Sequence, residues 1–375
     1  MGIRMLNKFL RTNTPHALIT THIKTLRNQK IAVDVSIYMY RFLKKKELVS
    51  SFFKMCALFR KYNIKPVFVF DGKPPEEKQV TLDVRRTEKK AATEKLHTLY
   101  TEMSSVEDKI KEHNKIIADD ENINMEEHTK KLEDLKVQIS NINENIQSLE
   151  PKCVRLKNYH LRDVKSLISR FGMTYIEAEG EADETCAKLC KNGDVYAVLS
   201  EDMDLFAYGC PRVLRYFSMI YRECVLYDLK KILKTLGVSP NQFRLMCILA
   251  GTDYNVEHLC SLRNDFNIFT IYECMKNNIV WSLVHKIVFH NNTVSMQEKN
   301  SKLYEMTYDT KLHFQRCIYF IYHITNNVNT IHNNMQMFYI PPKPKQYVCK
   351  YTIENNDYDK EYLQEFLDRH YIYMV

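Results

Sequence analysis

Val198–Gly209 reads VLSEDMDLFAYG. A short apolar strand candidate runs directly into Glu201, Asp202 and Asp204, three acids in four residues. Taken alone, the stretch is equally compatible with an exposed turn, because Asp favours turns and helix starts by accepting nearby backbone N–H groups. The ends of the other apolar runs separate the two readings. IAVD ends in Asp34, and VFVFD ends in Asp71. YIEAEGEAD sets Glu181 and Asp183 at the start of a helix just after another strand, and CILAGTD delivers Asp253 at a helix end.

These strands alternate with helical stretches such as VSSFFKMCALFRKY, EADETCAKLC and SPNQFRLMCILAG. That alternation predicts an α/β fold with a mostly parallel central sheet flanked by helices. In such a sheet the carboxyl ends of the strands meet at one crevice, where ligands bind. Each acid has an ordinary explanation on its own: a turn for Asp34 and Asp71, a helix dipole for Glu181 and Asp183, a helix-ending loop for Asp253. Brought together, Asp34, Asp71, Glu181, Asp183, Asp202, Asp204 and Asp253 would repel one another strongly. Hard cations with oxygen ligands relieve that cost. The set suits Mg²⁺, with Mn²⁺ as a substitute, and no His/Cys group converges to suggest zinc. Two ions about 4 Å apart would hold one phosphodiester between them, which is hydrolysis chemistry.

The chain has 375 residues, 45% hydrophobic, with a formal charge of +8. That length supports one large domain or two joined lobes, and the charge favours an acidic partner, nucleic acid ahead of membrane. Eleven cysteines stand at irregular spacings without a C-x-x-C pair, which predicts a reducing, intracellular setting. Cys186 and Cys190 are expected to serve packing. No apolar run is long enough to span a bilayer. Residues 76 to about 150 are charged and helix-compatible. Leu132, Leu135, Ile139, Ile142 and Ile146 recur at spacings of three and four, which predicts a helical hairpin or coiled arm, with DDENINMEEH at its turn. Trp281 reads as a core residue, EYLQEFLDRHYIYM as a last packed helix, and the Asn-rich stretch 326–334 and the HNN at 290–292 as loops. Asn291 matches a glycosylation acceptor that an intracellular chain does not use.

MGI..LNKFL at 1–10, KIAVDVSIYMYRFL at 30–43, IKPVFVFDGKPPEEK at 64–78, EAEGEADETCAKL at 177–189, VYAVLSEDMDLFAYGCPRVLRYF at 195–217 and CILAGTDY at 247–254 together resemble the flap endonuclease family, the XPG-type structure-specific 5′ nucleases. The resemblance covers residues 1–254. It implies a PIN-like 5′-nuclease fold with the nuclease core at 1–79 and 156–260, a helical arch or clamp at 80–155, and a mainly helical DNA-binding or accessory region at 261–375. It implies a Mg²⁺-dependent endonuclease and 5′ exonuclease acting on flaps, nicks, gaps or branched junctions in replication, recombination and repair. Asp34, Asp71, Glu181 and Asp183 would surround the first metal, and Asp202, Asp204 and Asp253 the second. Lys78 and Arg85 would steady the scissile phosphate from the arch, Gly2 would approach the DNA, and Tyr40 would stack on a base. From the residues alone, KQVTLDVRRTEKK is a basic helical face and Tyr40 equally a core aromatic.

The chain also departs from the family pattern. Asp183 stands where the family has Glu. KKKEL between Leu43 and Val49 is much shorter than the cellular loop that accepts a 3′ flap. The arch is longer, and the Gly-x-Gly hairpin expected soon after Asp253 is missing, as is a sliding-clamp peptide. This trimmed, Asn- and Ile-rich form is similar to the flap-endonuclease-like proteins of large DNA viruses. That similarity implies viral replication and recombination proteins as partners and the host cytoplasm as location, with the nucleus as the alternative for a cellular enzyme. A nuclease acting on RNA or simple DNA ends, and a catalytically silent junction-binding scaffold, are the competing readings.

Overall fold

The computed structural model describes residues 2–119, 125–252, 267–289, 311–344, 346–370 and 372. A seven-stranded sheet is built from β1 (Leu18–His22), β2 (Lys30–Asp34), β3 (Lys65–Phe70), β4 (Thr174–Glu177), β5 (Ala197–Leu199), β6 (Arg212–Ser218) and β7 (Glu223–Asp228), in the order β1-β7-β6-β5-β2-β3-β4. β2 pairs in parallel with both β3 and β5, β3 with β4, and β5 with β6. β7 runs antiparallel to β6 and β1. The expectation of a mostly parallel sheet among helices holds. The central strands read as unbroken apolar runs because both of their faces are covered: Ile31, Ala32, Val33, Val67, Phe68 and Val69 are all fully buried.

This order fixes where a site can form. From β2 the chain moves outward through β3 to β4 on one side, then returns to place β5 and β6 on the other. The reversal lies between β2 and β5, where Val33 registers with Leu199, while Asp34 registers with Val69 on the opposite flank. The carboxyl ends of β2, β3 and β5 are therefore neighbours at a topological switch point.

By contacts the chain divides into two compact units, Met1–Tyr38 with Val49–Lys78 and Arg162–Val375, and Met39–Leu48 with Gln79–Leu161. In the first, helices α1 (Leu6–Asn13), α3 (Leu48–Lys61), α7 (Ala182–Asn192), the single turn α8 (Asp204–Ala207), α9 (Leu229–Leu236) and α10 (Pro240–Ala250) surround the sheet, and α2 (Val35–Lys44) leaves β2 directly. α10 starts with a capping box, Ser239 with Gln242, and Pro240 at its first position. α9 ends on Gly237, whose φ of 68° is the left-handed conformation that glycine adopts without a Cβ penalty. Cys186 and Cys190 are buried on one face of α7, with the packing role expected of them.

The second unit is dominated by α4 (Gln79–Asp119) and α5 (Met125–Cys153). Leu96, Leu99, Met103, Val106 and Ile110 of α4 meet Leu135, Ile139, Ile142, Ile146 and Leu149 of α5. Spacings of three and four alternate along both helices, the 3.5-residue period that keeps one seam inward in a left-handed coiled pair. The centre of the expected turn between them, residues 120–124, lies outside the described residues, as do the HNN at 290–292 and Asn291.

One expectation needs correction, and two strands carry no clear sequence signal: in β1, at the sheet's edge, and its neighbour β7, LITTH and ECVLYD are only partly buried and interrupt their apolar residues with polar ones. The Asn-rich stretch expected as a loop forms most of the helix Val328–Met337. There Ile331 and Met335 are buried and Val328 packs against the same core, while the Asn334 amide is buried and donates to the Thr330 carbonyl at 2.8 Å. Burial of that apolar stripe outweighs the weak helix preference of Asn. Trp281 is half-buried against the core, and the last helix spans Lys360–Arg369. No described helix is long and apolar enough to cross a membrane.

Candidate active site

Asp34 is the last residue of β2 and is buried. Its Oδ2 accepts the Ser200 hydroxyl at 2.8 Å, and the Ser200 oxygen in turn accepts the Asp202 N–H at 3.0 Å. Asp202 Oδ1 accepts the N–H of Asp204, the first residue of α8, at 3.0 Å. The turn reading of SEDMD is thus half right: Asp202 does satisfy a helix-start donor, but the bonds continue across to the end of β2.

Asp71 follows β3. Its Oδ1 accepts the Ala182 N–H at 2.9 Å and its other oxygen accepts the Ser36 hydroxyl. A carboxylate from one strand therefore satisfies the orphan donor at the start of α7, while Glu181, the residue preceding α7, makes no cap bond with its own side chain. Glu181 Oε1 instead pairs with Lys78 Nζ, and both side chains are largely buried. Asp183 lies in the first turn of α7 and accepts the Glu184 N–H at 2.7 Å.

The electrostatics place these acids within range of one another. Burial, then the Asp71 and Asp202 carboxylates, push Asp34 up to about 7 against the opposing Ser200 hydrogen bond. Burial raises Asp183 well above the usual carboxylate range, reinforced by Glu181, Asp202, Asp204 and Asp34. Six of the seven acids expected to converge thus lie in one electrostatic cluster at the sheet's switch point, and Asp253 lies outside the described residues. Among the described residues no group of three or more His, Cys, Asp or Glu side chains stands ready-made as a metal coordination sphere. What favours a cation here is the donor set: all-oxygen, partly desolvated, and mutually repelling until a positive charge is supplied.

Gly2 closes one side. With φ at 76°, a Cβ on it would fall 2.4 Å from Asp202 Oδ1 and 2.6 Å from Asp204 Oδ1. Gly72 closes another, since a Cβ there would fall 2.0 Å from the Ala178 carbonyl oxygen while its N–H bonds Gly180 O at 2.7 Å. Gly72→Ala is accordingly expected to lower unfolding stability by about 2–3 kcal/mol, read from a denaturant titration. Arg85 on α4 and Tyr40 on α2 both belong to the second compact unit, and Tyr40 is 42% exposed.

The sequence reading missed the residues that hold the acids. Ser36 and Ser200 give no signal beyond lying within two residues of an acid. Glu201, left out of the expected set although it adjoins Asp202, is turned away from the cluster. Its Oε1 accepts the Tyr216 N–H at 2.8 Å, and its Oε2 lies 3.6 Å from Arg215 Nε.

The cluster carries a pH signature with a definite sign. Asp34 and Asp183 both have folded-state values above the ordinary 3.8. The stability associated with their protonated forms is present at low pH and is lost as pH rises from about 4 through about 7 for Asp34. A divalent cation favours the ionised forms. Added Mg²⁺ is expected to raise the melting temperature by several degrees at pH 8 and by much less at pH 5.5, measured by calorimetry against EDTA controls. An equal effect at both pH values would contradict this account.

Residues 1–92 match the XPG N-terminal domain and residues 172–253 the XPG I-region. Flap endonuclease 1 of Xenopus tropicalis is 30% identical over 273 residues, covering 68% of this chain and 61% of the relative. Flap endonuclease 1 of Zea mays is 32% identical over 273 residues, covering 68% and 62%. The chain thus spans about three fifths of the length of these relatives. The fold is that of the catalytic core of Rad2 in complex with DNA substrate, with a TM-score of 0.60 at 19% identity over 98% of this chain and 95% of that one. It is also that of human GEN1 in complex with Holliday junction DNA, with a TM-score of 0.56 at 17% identity over 98% and 73%. Two XPG regions in order, one running into the start of α4 and one after α5, together with flap endonuclease relatives at this identity, make the chain a member of the XPG family.

Proposed function

We propose that the protein is a structure-specific DNA nuclease that hydrolyses phosphodiesters at flaps, nicks, gaps or branched junctions, with Mg²⁺ as cofactor and Mn²⁺ as a substitute. The observation that carries this reading is the partly buried cluster of Asp34, Asp71, Glu181, Asp183, Asp202 and Asp204 beyond the carboxyl ends of the parallel strands, in which burial and neighbouring carboxylates raise the proton affinity of Asp34 and Asp183. Divalent cations bound there supply Lewis acidity, lowering the pKa of water and offsetting charge on the phosphate. Asp34, Asp71, Glu181 and Asp183 are assigned to one ion, and Asp202, Asp204 and Asp253 to the other.

The protein's own groups set the geometry. Ser200 and Ser36 hold the Asp34 and Asp71 carboxylates by hydrogen bonds. Lys78, which pairs with Glu181, is assigned to exchange that partner for a phosphate oxygen. Arg85 is assigned to phosphate contact, Tyr40 to base stacking, and Gly2 to close approach of DNA. Residues 80–155 are assigned to the arch, and the helices after residue 261 to accessory duplex binding. Phosphate contacts and junction shape, rather than base sequence, would then govern recognition. Such substrates suit replication, recombination and repair; viral replication proteins in cytoplasmic factories are assigned as partners and location for a viral enzyme, and the nucleus for a cellular one.

The test is a panel of 5′- and 3′-labelled flap, nicked, gapped, four-way and linear DNAs, with a linear RNA alongside, in Mg²⁺. Incision within a few nucleotides of the 5′-flap or junction base, faster than on linear ends, is expected. Preferred cleavage of RNA or blunt ends would support the competing nuclease reading, and tight junction binding without cleavage in either metal would support the scaffold.

A further inference from the structure

Arg215, on β6, is 6% exposed and gathers three elements. Its Nη2 donates to the Glu201 carbonyl at 3.0 Å, and its Nε lies 3.6 Å from Glu201 Oε2. Its Nη1 donates to Asn7 Oδ1 at 2.7 Å, on α1. That amide is tied further: Asn7 Oδ1 also accepts the Tyr227 hydroxyl at 2.8 Å, and Asn7 Nδ2 donates to the Tyr216 hydroxyl at 2.6 Å. The β6–β7 ladder shifts register between Arg215 and Ser218, and Tyr216 there holds a φ of 55°. A register shift of this kind re-aims side chains, and a non-glycine residue in that conformation persists only where its surroundings determine it.

One guanidinium therefore holds the main chain of Glu201 by a hydrogen bond and faces its carboxylate at ion-pair distance, while the Tyr216 N–H bonds the same carboxylate at 2.8 Å. On either side of Glu201 stand Ser200, which bonds Asp34, and Asp202, which accepts the Asp204 N–H. The same guanidinium, through Asn7, seats the N-terminal helix preceded by Gly2, and Gly2 abuts Asp202 and Asp204. A buried ion pair is a costly way to hold a loop if stability alone is the result, since apolar replacements often hold it as well or better. What the planar fork supplies is direction.

We propose that Arg215 is a positioning residue for the Asp202–Asp204 acids, acting through Glu201 on their loop and through Asn7 on the N-terminal segment that closes against them. The functional consequence rests on the metal-dependent nuclease reading above. The positioning itself is read by metal binding without DNA.

The test uses the full chain with Arg215→Lys, which keeps the charge and loses the fork, and Tyr227→Phe, which removes one hydroxyl bond from the same network. Mn²⁺ affinity is measured by electron paramagnetic resonance titration of free Mn²⁺, and folding is checked by thermal unfolding in EDTA. Arg215→Lys is expected to weaken Mn²⁺ binding about tenfold and Tyr227→Phe about twofold to threefold. In cleavage, the Mg²⁺ concentration for half-maximal rate should rise in parallel while the KM for DNA stays within twofold. Variants that melt earlier yet bind Mn²⁺ as the parent does would overturn the proposal, and so would a parent that binds no Mn²⁺. A parent that binds Mn²⁺ through this network but cleaves no DNA would leave the positioning role standing and remove the nuclease reading.

Discussion

Asp183→Asn protein is expected to lose Mg²⁺-dependent cleavage by about a thousandfold and yet to unfold at a higher temperature than the parent in EDTA at pH 8. The two effects have one cause. Asp183 is raised by burial and by four neighbouring carboxylates, so its charge disfavours the cation-free folded state at that pH. Asn keeps an oxygen to accept the Glu184 N–H that Asp183 accepts at 2.7 Å, so α7 retains its local bond. The gain should show as an upward shift of about a few degrees in melting temperature. The loss of activity follows from removing a carboxylate that would hold the cation whose charge offsets that on the phosphate. Stability exchanged for activity in this way marks a functional cluster rather than a structural one. Single-turnover cleavage and thermal unfolding on the same preparation check both halves. A destabilised variant would mean that Asp183 supports the fold.

Gly2→Ala is expected to reduce cleavage about a hundredfold with little change in melting temperature. The added Cβ cannot occupy a position 2.4 Å from Asp202 Oδ1 and 2.6 Å from Asp204 Oδ1, and alanine is strained at a φ of 76°. The N-terminal segment must then move back, or the two acids must. Either displacement is of the order of an ångström, which is enough to cost about two orders of magnitude in a positioned reaction. α1 itself stays seated, because Leu6, Phe9 and Leu10 are buried in the main core, away from the substituted residue. Rate under single-turnover conditions and melting temperature separate a local displacement from general loss of structure. A variant cleaving at the parent rate would show that this contact does not constrain the acids.

The sheet could be read in advance along its parallel strands and not on its β1–β7 side. IAVD and VFVF are apolar on both faces because both faces are covered, and such runs are unambiguous. LITTH at the edge and ECVLYD beside it mix polar with apolar residues because both are only partly buried, and nothing local distinguishes them from loops. The helix at 328–337 was hidden for the opposite reason: its composition points to a loop, and only the long-range burial of Ile331 and Met335 decides it. The acids were legible because each follows a strand or starts a helix, and the strand order then draws them together. The choice of Asp202 over its neighbour Glu201 was legible, but what holds Glu201 aside was not: the Tyr216 N–H bonds its carboxylate at 2.8 Å, and Arg215, fourteen residues along the chain from Glu201, faces it at 3.6 Å.

The most direct measurement of the central claim is a single-turnover time course on a 5′-flap DNA carrying labels at both ends, with the parent and Asp202→Ala proteins in Mg²⁺ and in EDTA. The expected result is one incision near the flap base by the parent in Mg²⁺, none in EDTA, and none above background by Asp202→Ala, which should still bind the flap. Equal cleavage by the two proteins, or cleavage by the parent in EDTA, would contradict the assignment of the acidic cluster as the metal-dependent centre of hydrolysis.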